Sequence, residues 1–155
     1  MANKHGNPNA IVLSDAQALP NATSVDSTNM AYVGSPTGNS MKLAVYANTA
    51  ISIADTKALT INLQTWSADT ASSAIAPFST GGSALANSTP TYTIFTGTAS
   101  GGAMAFAKGD LITSIVVPQD LMERFSTPHT YVQLQYITTA DESSEKVDAI
   151  VYGVQ

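Results

Sequence analysis

The chain has 155 residues, a formal net charge of −5, 11% charged residues and no cysteine. That length suits one domain with one buried core, and the missing cysteines exclude disulfide staples and thiolate metal sites. Arg124 is the sole arginine and Lys4, Lys42, Lys57, Lys108 and Lys146 are scattered, so a phosphate-binding surface, which needs clustered cations, is not expected.

Charged residues stand at under half of the usual share of about 25%, and Ala, Ser, Thr and Asn take their place. Such an exterior is expected where much of the surface packs against copies or partners. The start, MANKHGNPNA, is polar, and no apolar run of about 18 residues occurs. Neither a signal peptide nor a membrane span is therefore expected, and synthesis in a cytoplasm is.

In chain order, residues 1–12 read as an extended N-terminal arm, with Gly6 and Pro8 and no periodicity; Ile11, Val12 and Leu13 at its end can pair as a short strand. Pro20-Asn21 marks a turn. A short strand follows in MAYVG (30–34), stopped by SPTGNS. MKLAVYA (41–47) alternates Met41, Leu43 and Val45 inward against Lys42, Ala44 and Tyr46. ALTINLQTW (58–66) is the clearest strand: Leu59, Ile61 and Leu63 share one face, Thr60, Asn62, Gln64 and Trp66 the other. Apolar positions two apart belong to a strand, whereas a helix needs them three and four apart.

From Ser67 to Pro90 the chain is almost wholly small and turn-forming, too long for an ordinary loop. It reads as functional or mobile, with Phe78 and Leu85 as anchor points. Strands follow in TYTIFTG (91–97) and in GDLITSIVVP (109–118), where Pro118 ends the run. PQDLMERF (118–125) fits a single helical turn opened by proline. HTYVQLQYITTADESSEKVDAIVYGV (129–154) reads as a terminal hairpin around a solvated acidic turn. About eight strands without intervening helices predict an antiparallel all-β jelly-roll sandwich over 13–155.

Chemistry is sparse. His5 and His129 stand far apart, and no zinc spacing joins them. Asp141, Glu142, Glu145 and Asp148 lack the glycine and ligand spacing of a calcium loop; a solvated turn that protects a strand edge explains them better. Ser143-x-x-Lys146 has the spacing of penicillin-recognising enzymes but sits at a turn tip, without the helix start that chemistry needs. GTASGG lacks the Gly-Lys-Ser/Thr ending of a phosphate loop, and Lys108-Gly109-Asp110 reads as a turn before a strand. Asn21-Ala22-Thr23 and Asn87-Ser88-Thr89 match the glycosylation pattern but read as compositional noise. No enzyme, metal or cofactor is expected. Trp66 keeps two readings, core filler or interface anchor.

The order and spacing of three stretches resemble the small jelly-roll cement (head-decoration) proteins of tailed bacteriophages. They are LSDAQALPNATSVDSTNMAYVG, KLAVYANTAISIADTKALTINLQTWSAD and KGDLITSIVVPQDLMERFSTPHTYVQLQYIT with the closing DAIVYG, so the likeness runs from about residue 13 to the end. The chain departs from that pattern at Gln133, where Arg is more usual, and in its longer loop over 67–90. The resemblance implies a jelly roll that trimerises on the outside of a phage head and bridges major capsid subunits. No nucleic-acid, membrane or cofactor partner is implied. On this reading Lys4, His5, Asn7 and Pro8 of the arm would contact the capsid, and Trp66, Phe78, Tyr131 and Gln133 would serve subunit or capsid interfaces. The alternative is a carbohydrate- or receptor-binding jelly-roll module, with Trp66, Asn62 and Gln64 as its candidate site.

Overall fold

The computed structural model describes residues 10–32, 40–66, 92–117 and 131–154. The remaining stretches include Lys4, His5, Asn7 and Pro8 of the expected arm, the turn at 35–39, the 67–90 loop with Phe78 and Leu85, the expected helical turn at 118–125, and His129; all of these lie outside the described residues.

The described chain is all-β and antiparallel, with eleven strands: β1 (Ile11–Ala18), β2 (Ser24–Asp26), β3 (Ala31–Tyr32), β4 (Ser40–Ala47), β5 (Ile51–Ile53), β6 (Ala58–Trp66), β7 (Tyr92–Thr98), β8 (Met104–Phe106), β9 (Leu111–Val117), β10 (Tyr131–Thr138) and β11 (Lys146–Val154). One sheet has the order β1-β11-β4-β9. The second has the order β2-β10-β6-β7, with β3 beside β2 on the same edge of β10, and β5 and β8 form a small third ladder.

The pairings nest. β6 pairs β7, β5 pairs β8, β4 pairs β9, β3 and β2 pair β10, and β1 pairs β11. The chain is one long hairpin, doubled between β6 and β7 and rolled until β10 also meets β6 and β11 also meets β4.

Both sheets feed one core. Leu13, Leu43, Val45, Val147, Ala149 and Val151 come from the first, and Leu59, Ile61, Leu63, Val132, Leu134 and Tyr136 from the second. Ile51 and Ile53 join them, with Met104 and Phe106 packed alongside. Successive side chains point to opposite faces, so every second residue of each strand reaches this core; alternation of apolar with polar residues is clearest in β6 and β10. Gly97 stands where a β-carbon would collide with the thioether of Met104 and the ring of Phe95, so any larger residue there must shift both side chains.

Ile11, Val12 and Leu13 form a strand as expected, the start of an eight-residue β1 with Ile11 and Val12 opposite Val151 and Ile150. One expectation is corrected. The C-terminal pair is not a hairpin: β10 belongs to the second sheet and β11 to the first. Alternation reports which face of a strand is buried and is silent about which strand lies beside it, so two consecutive half-buried strands read as partners when the chain in fact crosses between sheets.

β1 carries an irregularity that the crossing exploits. Its register with β11 shifts around Ser14 to Gln17, and Ala16 adopts a φ of 50°, a left-handed conformation that a non-glycine residue seldom takes. Asp148 on β11 holds it by accepting the Ala16 N–H at 2.7 Å and an Asn48 side-chain N–H at 2.9 Å. Gln17, within the bulge, accepts from Ser14 Oγ and Thr28 N and donates to the Asp26 carbonyl. The first sheet is thereby tied to the segment that leads into the second.

Candidate interaction face on the second sheet

β6 and β10 run in unbroken register from Leu59↔Thr138 to Trp66↔Tyr131. Inward-facing pairs such as Leu63↔Leu134 alternate with a row of amides, Gln64↔Gln133 and Asn62↔Gln135. Tyr131 also lies opposite Tyr32 of β3. Their rings meet edge to face, with centroids 5.3 Å apart and planes at 62°, a favoured aromatic geometry. Tyr32 is largely exposed. Three residues singled out separately in the sequence, Trp66, Tyr131 and Gln133, therefore fall on one two-strand ladder. Phe78 and the arm residues Lys4, His5, Asn7 and Pro8 are outside the described chain.

The polar row is buried, which its alternation with the core did not announce. Asn62, Gln64 and Gln133 are only 4%, 3% and 7% exposed. Asn62 is fully served: its Oδ1 accepts from Thr93 Oγ1 at 2.9 Å and its amide nitrogen donates to Gln135 Oε1 at 3.3 Å. The Gln133 amide nitrogen donates to the Ser27 carbonyl at 3.2 Å. The side-chain oxygens of Gln64 and Gln133 are buried and meet no donor. A buried acceptor left unmet costs about 1–3 kcal/mol, so this row is an expense that a core of leucines would avoid.

The chemistry such a row offers is hydrogen bonding by neutral amides and phenols. Asp26, on β2 opposite Gln135, brings an exposed carboxylate to the edge of the same sheet. Tyr136 is a different case: it is fully buried, its hydroxyl lies 2.9 Å from Ser14 Oγ, and burial pushes its pKa well above the usual tyrosine value. Because Ser14 already donates to Gln17, the phenol donates to Ser14. The Ser14–Tyr136 pair is sealed in the core and open to no substrate. Among the described residues, no three His, Asp or Glu side chains gather as metal ligands, and no helix is long and apolar enough to cross a membrane.

Sequence reasoning missed Tyr32, Thr93 and Ser27 as members of this face. Their places depend on the pairing of β3, β7 and the β2–β3 segment with β10 and β6, which no local pattern encodes. Compared with known proteins, the chain matches no family model, no curated protein and no solved structure.

Proposed function

We propose that this is a structural virion protein, a cement protein that sits as a homotrimer on the outside of a bacteriophage capsid and bridges its major subunits. The observation that carries the reading is the outer row of the second sheet. It is a low-charge row of amides flanked by tyrosines, and its accessible part is exposed Tyr32, with Tyr131 and Gln135 half-buried beside it. Faces rich in tyrosine and poor in charge are suited to protein contacts. The nested pairing supports the finer assignment of a jelly roll, because a rolled-up hairpin in two sheets is that architecture. The low overall charge supports repeated contacts on a lattice, where many weak attachments add through multivalency.

The deciding experiment is co-sedimentation with DNA-filled heads and with unexpanded precursor shells of a candidate parent phage. Saturable binding to mature heads, weak on precursor shells, is expected. A variant lacking residues 2–10 is expected to lose shell binding while keeping its circular dichroism, since β1 begins only at Ile11. Unchanged binding by that variant would remove the arm from the contact.

A second reading is favoured by one specific feature. Exposed Tyr32, edge to face with Tyr131, shares the sheet edge with half-buried Gln135 and exposed Asp26, a mix of aromatic face and planar polar groups that suits sugar hydroxyls; Asn62 and Gln64, expected to serve this reading, are buried beneath it. A glycan array separates the two: defined glycan hits together with no shell binding would make this a receptor-binding module.

A further inference from the structure

Glu142 and Asp148 are each only 6% exposed, yet their surroundings are opposite. Asp148 receives a backbone N–H and an amide N–H. Glu142 faces the carboxyl of Glu145, whose Oε2 is itself buried and meets no donor. Two carboxylates cannot face each other underground without something positive between them.

The two glutamates occupy the connection from β10 to β11, where the chain crosses between sheets, and this connection is fastened on both sides. Toward the β1–β2 corner, Leu19 N donates to the Glu145 carbonyl, Glu142 N to the Pro20 carbonyl and Ala22 N to the Ala140 carbonyl. Toward the β4–β5 corner, Ser52 N donates to Glu145 Oε1 at 2.8 Å and Lys146 N to Thr49 Oγ1 at 2.9 Å. The second carboxylate oxygen of the same Glu145 is the one left without a donor.

We propose that Glu142 and Glu145 hold one proton between them, and that this proton makes the β10–β11 connection a pH-sensitive clasp joining the two sheets. Glu142 O–H donates to Glu145 Oε2, which supplies the missing donor and leaves Glu145 Oε1 free to accept from Ser52. Loss of the proton sets two negative charges against each other beneath the connection and pulls on its ties to Leu19, Pro20 and Ser52.

The neighbouring groups act in the same sense. Burial is the largest influence, followed by the charge of Glu145 and its hydrogen bond, then by Asp141; together they push the Glu142 carboxyl up to about 7. Asp141 stays ionised, since two hydrogen bonds from Ser143 hold its carboxyl below the usual range. From the packed corners come Leu19, Pro20, Asn21, Thr49 and Ser52, none of them charged.

The direction follows by linkage. A glutamate raised from 4.5 to about 7 in the folded state binds a proton that the unfolded chain has already lost in that window. Its stabilising contribution is full below pH 4.5 and is lost as the pH rises through about 7.

Urea unfolding of the wild type and of Glu142→Gln from pH 5 to pH 8 tests the clasp, because the glutamine amide replaces the shared proton with a permanent N–H donor. The wild-type unfolding constant is expected to rise on the order of tenfold more than that of the variant, the full shift being cut down by solvent around the turn. Equal pH slopes overturn the proposal. So does a rise in wild-type stability, absent in the variant, on adding calcium chloride at pH 8, since the pair would then hold a metal ion. If Glu142→Gln does not fold, a carbon-13 titration of the wild-type glutamate carboxyls decides: a midpoint near 7 supports the shared proton, and midpoints all near 4.5 refute it.

Discussion

On the outward side of the first sheet, Ile150 and Ala44 lie in one cross-strand row and are buried, while Leu111 and Val116 of the edge strand β9 are 50% and 51% exposed. The corresponding row of the second sheet holds Asn62, Gln64, Gln133 and Gln135. Both rows are covered, but their requirements differ. An apolar row asks nothing of its cover except exclusion of water, whereas each amide brings donors and acceptors that must be met. The first sheet covers Ile150 and Ala44 as aliphatic groups and meets its one buried carboxylate, Asp148, with the Ala16 and Asn48 N–H groups, whereas the second leaves two acceptors without partners. A row that is dearer to bury than its counterpart, in a domain with the same kind of inner face on both sheets, points to a use outside the fold. For that reason the second sheet carries the functional proposal.

The two inner faces contribute alike to one core, and the largest expected effects test this. Leu43→Ala in β4 and Leu134→Ala in β10 each remove a fully buried side chain from the shared core. Each is expected to cost about 2–5 kcal/mol, read as urea midpoint with the m-value unchanged. A marked inequality, with one variant near wild type, would mean that the sheets do not contribute alike to one core.

Asp148 is the polar exception on the outward side of β11. Asp148→Ala removes the acceptor for the Ala16 and Asn48 N–H groups and is expected to cost about 2–3 kcal/mol, because two charge-assisted bonds are lost and their half-buried donors are left without this acceptor. Hydrogen exchange at the Ala16 amide should rise far more than at Leu63 in the same variant. Equal loss of protection at both sites would mean global destabilisation and no local role in the bulge.

Much of the ladder was legible beforehand. Alternation of Leu59, Ile61 and Leu63, and of Val132, Leu134 and Tyr136, identified strands and inner faces correctly, because burial of one face imposes a period of two. The same pattern placed Tyr131, Gln133 and Gln135 together on the other side. What it could not give was the burial of Asn62, Gln64 and Gln133, since a polar residue at an outward position reads as solvated until its neighbours are known. β2, β5 and β8, three residues each, are too short for periodicity to register. The acidic turn was misread for a related reason. Asp141 and Ser143 do face water, but Glu142, between them, is turned under the connection, and that depends on the β1–β2 corner folding over it.

Within the amide row, two residues one pleat apart carry opposite expectations. Asn62→Leu removes two hydrogen bonds, to exposed Thr93 and half-buried Gln135, and should cost about 1–3 kcal/mol. Gln64→Leu removes an oxygen that has no donor, so the change should lie within about 1 kcal/mol of wild type and can be stabilising. Thermal unfolding of both variants at one pH is sufficient. If Gln64→Leu is the costlier of the two, the acceptor is met by ordered water and the row is not incomplete.

The smallest effect expected on the isolated domain is at Val116. Its side chain stands half in solvent on edge strand β9, opposite Lys42, so Val116→Ser should change stability by no more than about 0.5 kcal/mol. Sheet faces part company here. If the second sheet supplies the contact surface, Val116→Ser leaves shell binding and self-association unchanged, while Tyr32→Ala, equally mild for the isolated fold because Tyr32 is exposed, weakens them at least tenfold. If binding instead falls with Val116→Ser and survives Tyr32→Ala, the apolar edge of the first sheet is the docking surface. The unmet acceptors of Gln64 and Gln133 would then be a cost of the fold itself, with no partner to explain them.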